Sequence, residues 1–135
     1  MAERETKELY SKEGEKTYRV RECNYADYAN GIMCKREQDF PGLTTTKLRR
    51  IYAHIVNLAS RIGSQEEFEK LKGDLQYLKV KMAYEAGRES AVKSFFEKAH
   101  LMGMLDSVLT YDQFLLYCRY AESLVAYFKY YGGKD

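Results

Sequence analysis

Between Thr44 and Gly63 the large apolar residues fall at Leu48, Ile51, Tyr52, Ile55, Leu58, Ala59 and Ile62, three or four positions apart. At 100° per residue they fill one broad face of a helix, whereas a strand's period of two scatters them over both sides. Thr44 or Thr45 suits the N-cap and Gly63 the residue that ends such a helix. The rhythm then repeats. SQEE at 64–67 has the form of a capping box, followed by Phe68, Leu71, Leu75, Leu78 and Met82 on one stripe as far as Gly87. Val92, Phe95, Phe96, Ala99 and Met102 mark a third helix that Gly103 would close. TYDQ at 110–113 opens a fourth, with Phe114, Tyr117, Cys118, Ala121, Leu124, Val125 and Phe128 inward and Gly132-Gly133 as its stop.

The amino-terminal third is less regular. Residues 1–22 mix Lys and Glu with few large apolar groups, which predicts a mobile arm or a weak helix needing a partner. Residues 23–40 add a docking segment, with turns at Asn30-Gly31 and Pro41-Gly42. No strand pattern stands out. The expectation is one all-α domain of about five helices: an N-terminal arm and first helical segment, partly mobile, over 1–39, and a compact bundle over 40–135.

Composition supports this. With 45% apolar residues, 31% charged residues and one proline in 135, the chain can bury a core and remain helical. No apolar run approaches a membrane span, and the charged start MAERETKELYSKEGEK is no secretory signal, so a cytoplasmic protein is expected. Cys23, Cys34 and Cys118 are odd in number and lack metal-binding spacing, which predicts reduced thiols and no metal or other cofactor.

Charge is distributed unevenly. From Phe40 to Gln65 there is no Asp or Glu, while Lys47, Arg49, Arg50 and Arg61 remain; the rest of the chain carries 18 basic against 20 acidic groups. The net charge of +2 therefore comes from this segment. Lys47, Arg50, His54 and Arg61 share a flank of the first regular helix, and Arg49 projects on the far side. On the next helix Tyr77, Lys81, Tyr84 and Arg88 lie together, with Glu85 placed for ordinary intrahelical pairing. Lys72 and Lys79 occupy its other flank. Cations in register can track a phosphate backbone, but they can equally dock a protein, and the residues alone leave both readings open.

Catalysis fits poorly. His54 and His100 are far apart, and no HExxH, GxSxG, phosphate loop or paired-carboxylate motif occurs. Asp74, Asp106 and Asp112 fall near helix ends, where they complement the dipole. Leu116, Tyr120 and Tyr127 form a second strip on the last helix that suits contact with another subunit, and Tyr77, Tyr84, Tyr120 and Tyr127 are expected to pack or meet a subunit rather than to stack on bases.

Four motifs carry a resemblance. LTTTKLRR at 43–50, LQYLKVKMAYEAGRE at 75–89, AVKSFFEKA at 91–99 and YCRYAESLVAYFKYYGGKD at 117–135 occur in this order. Over about residues 40–135 the chain resembles the small helical subunit of the type III-A CRISPR–Cas effector, the Csm complex. The patterns YLKxxxxYxAGR and RYxExLVAYxKYY are more specific than generic helix spacing, and residues 1–39 hold none of these motifs. The resemblance implies a bundle without catalytic activity, several copies of which stack into an inner filament. Its partners would be target RNA and the guide RNA–target duplex, other copies of itself, and the backbone and large subunits, which carry RNA cleavage and DNA cleavage respectively.

A subunit serving any target should hold phosphates and leave sequence reading to the guide. On the matching motifs this implies RNA contacts at Lys47, Arg49, Arg50 and Arg88, with Lys79, Arg119 and Arg61 behind them. The alternative is a helical scaffold that touches only protein.

Overall fold

The computed structural model describes residues 8–133, apart from the side chain of Arg36; the first seven residues of the expected arm, and 134–135, lie outside the described residues. Where a mobile arm or weak helix was expected, residues 8–21 form a β-hairpin, β1 (Glu8–Glu13) paired antiparallel with β2 (Lys16–Arg21). Its signal was present but short. Leu9 and Ser11 alternate inward on one strand, and Tyr18 and Val20 on the other, with Leu9 opposite Val20 and Ser11 opposite Tyr18. Gly14 takes a φ of 65° in the two-residue connection, which only glycine does at little cost.

Eight helices follow among the described residues: α1 (Tyr25–Met33), α2 (Arg36–Asp39), α3 (Thr45–Ala59), α4 (Gln65–Lys70), α5 (Lys72–Arg88), α6 (Ser90–Ala99), α7 (Leu101–Asp106) and α8 (Tyr111–Tyr130). The excess over five arises from three interruptions of expected helices. The segment 23–40 divides around Cys34-Lys35, after Asn30-Gly31 has passed inside α1 without turning the chain. Leu71, at φ −106° and ψ 23°, separates α4 from α5. His100, in the left-handed region at φ 58°, separates α6 from α7. Apolar spacing survives each break, so periodicity alone could not reveal them.

Gly103 does not end a helix; it lies within α7, where β1 crosses. A Cβ at this position would fall 2.7 Å from Ser11 Cβ, so the close approach requires glycine. The hairpin is fastened further by Tyr10 N donating to Ser107 Oγ at 3.2 Å and by Gln113 Nε2 donating to Glu8 O at 3.0 Å. Gln113 also completes the capping box of α8 with Thr110. Tyr18 stacks on His100, with ring centroids 4.0 Å apart. Burial pushes the His100 pKa down. At the strand ends Glu8 pairs with Arg19 and, at 3.2 Å, with Arg21. Burial acts to raise the Glu8 pKa, but the hydrogen bonds from the two arginines outweigh it and the pKa is lowered.

One core runs from Leu9 to Phe128, with α8 at its centre against α1, α3 and β1. This corrects the expected strip on α8. Tyr120 is fully buried and Leu116 nearly so, while Tyr127 packs partly buried against the core. The first two are closed to a partner subunit in this fold. Tyr120 meets Tyr28 edge-on and donates its hydroxyl to Ala99 O at 2.7 Å; Tyr117 donates to Leu101 O at 3.0 Å. The two hydroxyls thus satisfy the carbonyls either side of the His100 break. Burial drives both phenol pKa values well up. No helix of the described residues is long and apolar enough to cross a membrane.

Candidate nucleic-acid interface

Helix α3 starts where its capping chemistry predicts. Thr44 Oγ1 accepts from Lys47 N at 3.2 Å, and Leu48, Ile51, Ile55 and Leu58 then turn inward. Helix α5 runs beside it in the opposite direction, burying Leu75, Leu78 and Met82. The next residue on that buried stripe is Glu85, only 4% exposed. A carboxylate there must be paired, because an isolated buried charge is costly.

Three groups converge on it. Arg50 Nε donates to Glu85 Oε1 at 3.2 Å, His54 Nε2 lies 3.3 Å from Glu85 Oε2, and Arg88 Nη1 lies 3.7 Å from Oε1. The expected intrahelical pairing of Glu85 forms with Arg88 but not with Lys81, which turns to Tyr77. Glu85 in addition anchors the seam between two helices through Arg50 and His54. Further pairs cross the seam. Lys47 Nζ lies 2.9 Å from Glu89, whose pKa that contact lowers, and Arg61 lies 2.6 Å from Asp74. The acids that pair with Lys47, Arg50 and Arg61 of the acid-free segment come from α5 and the residue after it.

Outward from Glu85 the surface is cationic and aromatic. Tyr77, Val80 and Tyr84 are 58%, 60% and 65% exposed. Lys81 Nζ sits 4.8 Å from the Tyr77 ring centroid, and Arg88 Cζ 5.6 Å from that of Tyr84. Glu85 is the sole acid of α5 between Gln76 and Arg88, and its burial leaves the exposed side of that stretch without negative charge.

The predicted residues divide accordingly. Lys47, Arg50 and Arg88 come together at one end of the seam. Arg61 lies on the same seam but at its far end, two residues beyond the last residue of α3, where it pairs with Asp74. Arg49 is exposed on the outer side of α3, with no ion pair among the described residues. Lys79 projects from the other flank of α5 to Asp106 of α7, at 3.0 Å. Arg119 is exposed on α8 beside Glu22, Asp112 and Leu115, apart from the seam. Sequence reasoning gave Lys81 no role in binding, although Tyr77/Lys81 and Tyr84/Arg88 repeat one i, i+4 pair seven residues apart.

Behind α5, on its other flank, a groove of about 570 Å³ opens between β1, α6 and α7 and is lined by Ser11, Ala86, Phe96, His100 and Met102. Among the described residues no group of three or more His, Cys, Asp or Glu is placed to hold a metal ion.

The model of the family described as Csm2 Type III-A matches residues 24–134. The chain belongs to the type III-A Csm2 family. A protein named CRISPR system Cms protein Csm2 from Streptococcus thermophilus is 40% identical over 115 residues, covering 83% of this chain and 94% of its own. A Csm2 of Enterococcus italicus is 44% identical over 98 residues, covering 68% of this chain and 70% of its own. One from Mycobacterium tuberculosis is 39% identical over 97, covering 69% and 78%. Csm2 membership makes the chain a small subunit of the type III-A Csm complex, as the four motifs implied. The Csm2 match starts at Asn24, so the hairpin lies outside the segment that the family model describes.

Proposed function

We propose that this subunit is non-catalytic and holds target RNA inside the type III-A effector through sequence-independent phosphate contacts on the α3–α5 seam. Several copies stack as an inner filament in the cytoplasm, beside the backbone and large subunits, and together wall the channel where guide and target pair. The observation that carries this reading is the burial of Glu85 beneath Arg50, His54 and Arg88. It organises cations while leaving the exposed side free of repulsion toward phosphate.

Existing ion pairs do not block this role. Exposed pairs such as Arg61–Asp74 are worth about 0–1 kcal/mol, so a phosphate can compete for the cation. One subunit neutralising about three phosphates of a single strand has a salt slope of only about −2, so the free protein binds weakly. Linked copies raise the effective concentration and convert weak sites into firm retention.

A second reading has its own support. Lys47, Arg50, Arg61, Lys79 and Arg88 each have a carboxylate within the chain, which suits a scaffold surface with no RNA to meet. Fluorescence anisotropy with unstructured single-stranded RNA across a salt series separates the two. Wild type is compared with Arg49→Glu/Lys81→Glu, both positions being without ion-pair partners among the described residues, and circular dichroism checks folding. Weak, salt-dependent, sequence-blind binding that the variant loses supports the RNA wall. Equal binding by both proteins, or none at any salt, supports the scaffold.

A further inference from the structure

We infer that Tyr77 and Tyr84 are a pair of base-stacking platforms for single-stranded RNA, a claim that rests on the α3–α5 face being the RNA-facing one. Phosphate contact alone needs no aromatic groups. Yet α5 holds two tyrosines more than half exposed, with Val80 exposed between them. Each ring carries its own cation four residues on: Lys81 over Tyr77 and Arg88 over Tyr84.

The arrangement suits a nucleotide in both its parts. The ring offers a flat face that any base can cover, so stacking adds affinity without reading sequence. The cation beside it meets the adjoining phosphate and holds the ring in place beforehand. Seven residues of helix separate the two units by about 10.5 Å, against roughly 3.4 Å per nucleotide along a stacked strand. The rings therefore address separate, non-adjacent bases.

Charge and rings together favour RNA over a second copy of the chain as the occupant. A copy would have to present acids, and the acidic turn of α4 is the obvious source. Its carboxylates, Glu66, Glu67 and Glu69, answer the cations but bring no flat group to cover the two exposed rings. A polyanion with exposed bases meets both the cations and the rings.

The test uses the full chain, an oligoadenylate of about 12 nucleotides containing 2-aminopurine, and an abasic ribose-phosphate strand of equal length. Stacking predicts that wild type quenches the 2-aminopurine and that Tyr77→Ala/Tyr84→Ala does not. Each lost ring weakens binding of the base-bearing strand by about tenfold, while the salt slope and the affinity for the abasic strand stay unchanged. Tyr77→Phe/Tyr84→Phe restores binding and quenching, since the ring and not the hydroxyl acts. Unchanged RNA binding by the alanine variant overturns the inference while leaving the phosphate reading intact. Unchanged binding together with loss of self-association in sedimentation overturns it in favour of a subunit contact. No RNA binding by wild type removes both readings together.

Discussion

Arg50 of α3 reaches across to Glu85 of α5, Nε to Oε1 at 3.2 Å, and the carboxylate it finds is only 4% exposed. These two residues are 35 positions apart, so no pattern within one helix connects them. The contact sets both the packing of α3 on α5 and the chemistry of the outer surface, because the acid lies below and the cations above.

The two should therefore be coupled in stability. Glu85→Ala leaves Arg50, His54 and Arg88 without their common acceptor and is expected to cost about 2–3 kcal/mol, moderated because the arginines can reach water. A double-mutant cycle with Arg50→Ala, read by urea denaturation, should give a coupling energy of about 1 kcal/mol. Strict additivity would show that the contact is incidental.

Much of this was legible in the sequence and some was not, for physical reasons. The starts of α3 and α8 follow from apolar spacing and N-caps, and α6 from apolar spacing alone, all of which are local. The hairpin was hidden because ELYSKEGEKTYRVR buries so few large side chains that its alternation is weak. The basic flank of α3 was visible as a charge asymmetry, but the partners of Arg50 and Arg61 were not, since ion pairing between helices depends on packing. Tyr120 read as exposed because α8 is covered on more than one side, by α1 and β1 as well as α3.

Tyr120 should behave as a structural residue. Tyr120→Phe leaves Ala99 O without its buried donor beside the left-handed His100, at an expected cost of about 1–2 kcal/mol. Thermal unfolding followed by circular dichroism measures this. RNA binding by the folded variant should be unchanged, since the hydroxyl lies in the core.

Gly103 tests the docking of the hairpin. Alanine there would meet Ser11, so Gly103→Ala must push β1 from α7, at a cost of about 1–3 kcal/mol. Ser11→Gly in the same chain should recover part of the loss by reopening the space. Hydrogen exchange of the β1 amides should report the displacement before global stability is lost.

Alkaline pH should unfold the protein through its buried acids. The Cys118 thiol is pushed up to about 12 by burial, from an ordinary 9.0, and Tyr28 to about 12 from 10.0. Both groups are neutral in the fold and ionise more readily in the unfolded chain. Stability is therefore fully present below pH 9, and falls as pH rises toward 12. In Cys118→Ala the decline should begin nearer pH 10, where unfolded tyrosines start to ionise. Melting temperatures from pH 8 upward would reveal the shift of onset.

The claim that the α3–α5 seam faces RNA is tested most directly by photocrosslinking target RNA within the assembled effector and mapping the modified peptides of this subunit. The account predicts crosslinks concentrated at Tyr77, Lys81, Tyr84 and Arg88, with weaker ones at Lys47 and Arg50. Crosslinks confined to the hairpin, α1 or the Arg119 side of α8, with the seam unmodified, would contradict it.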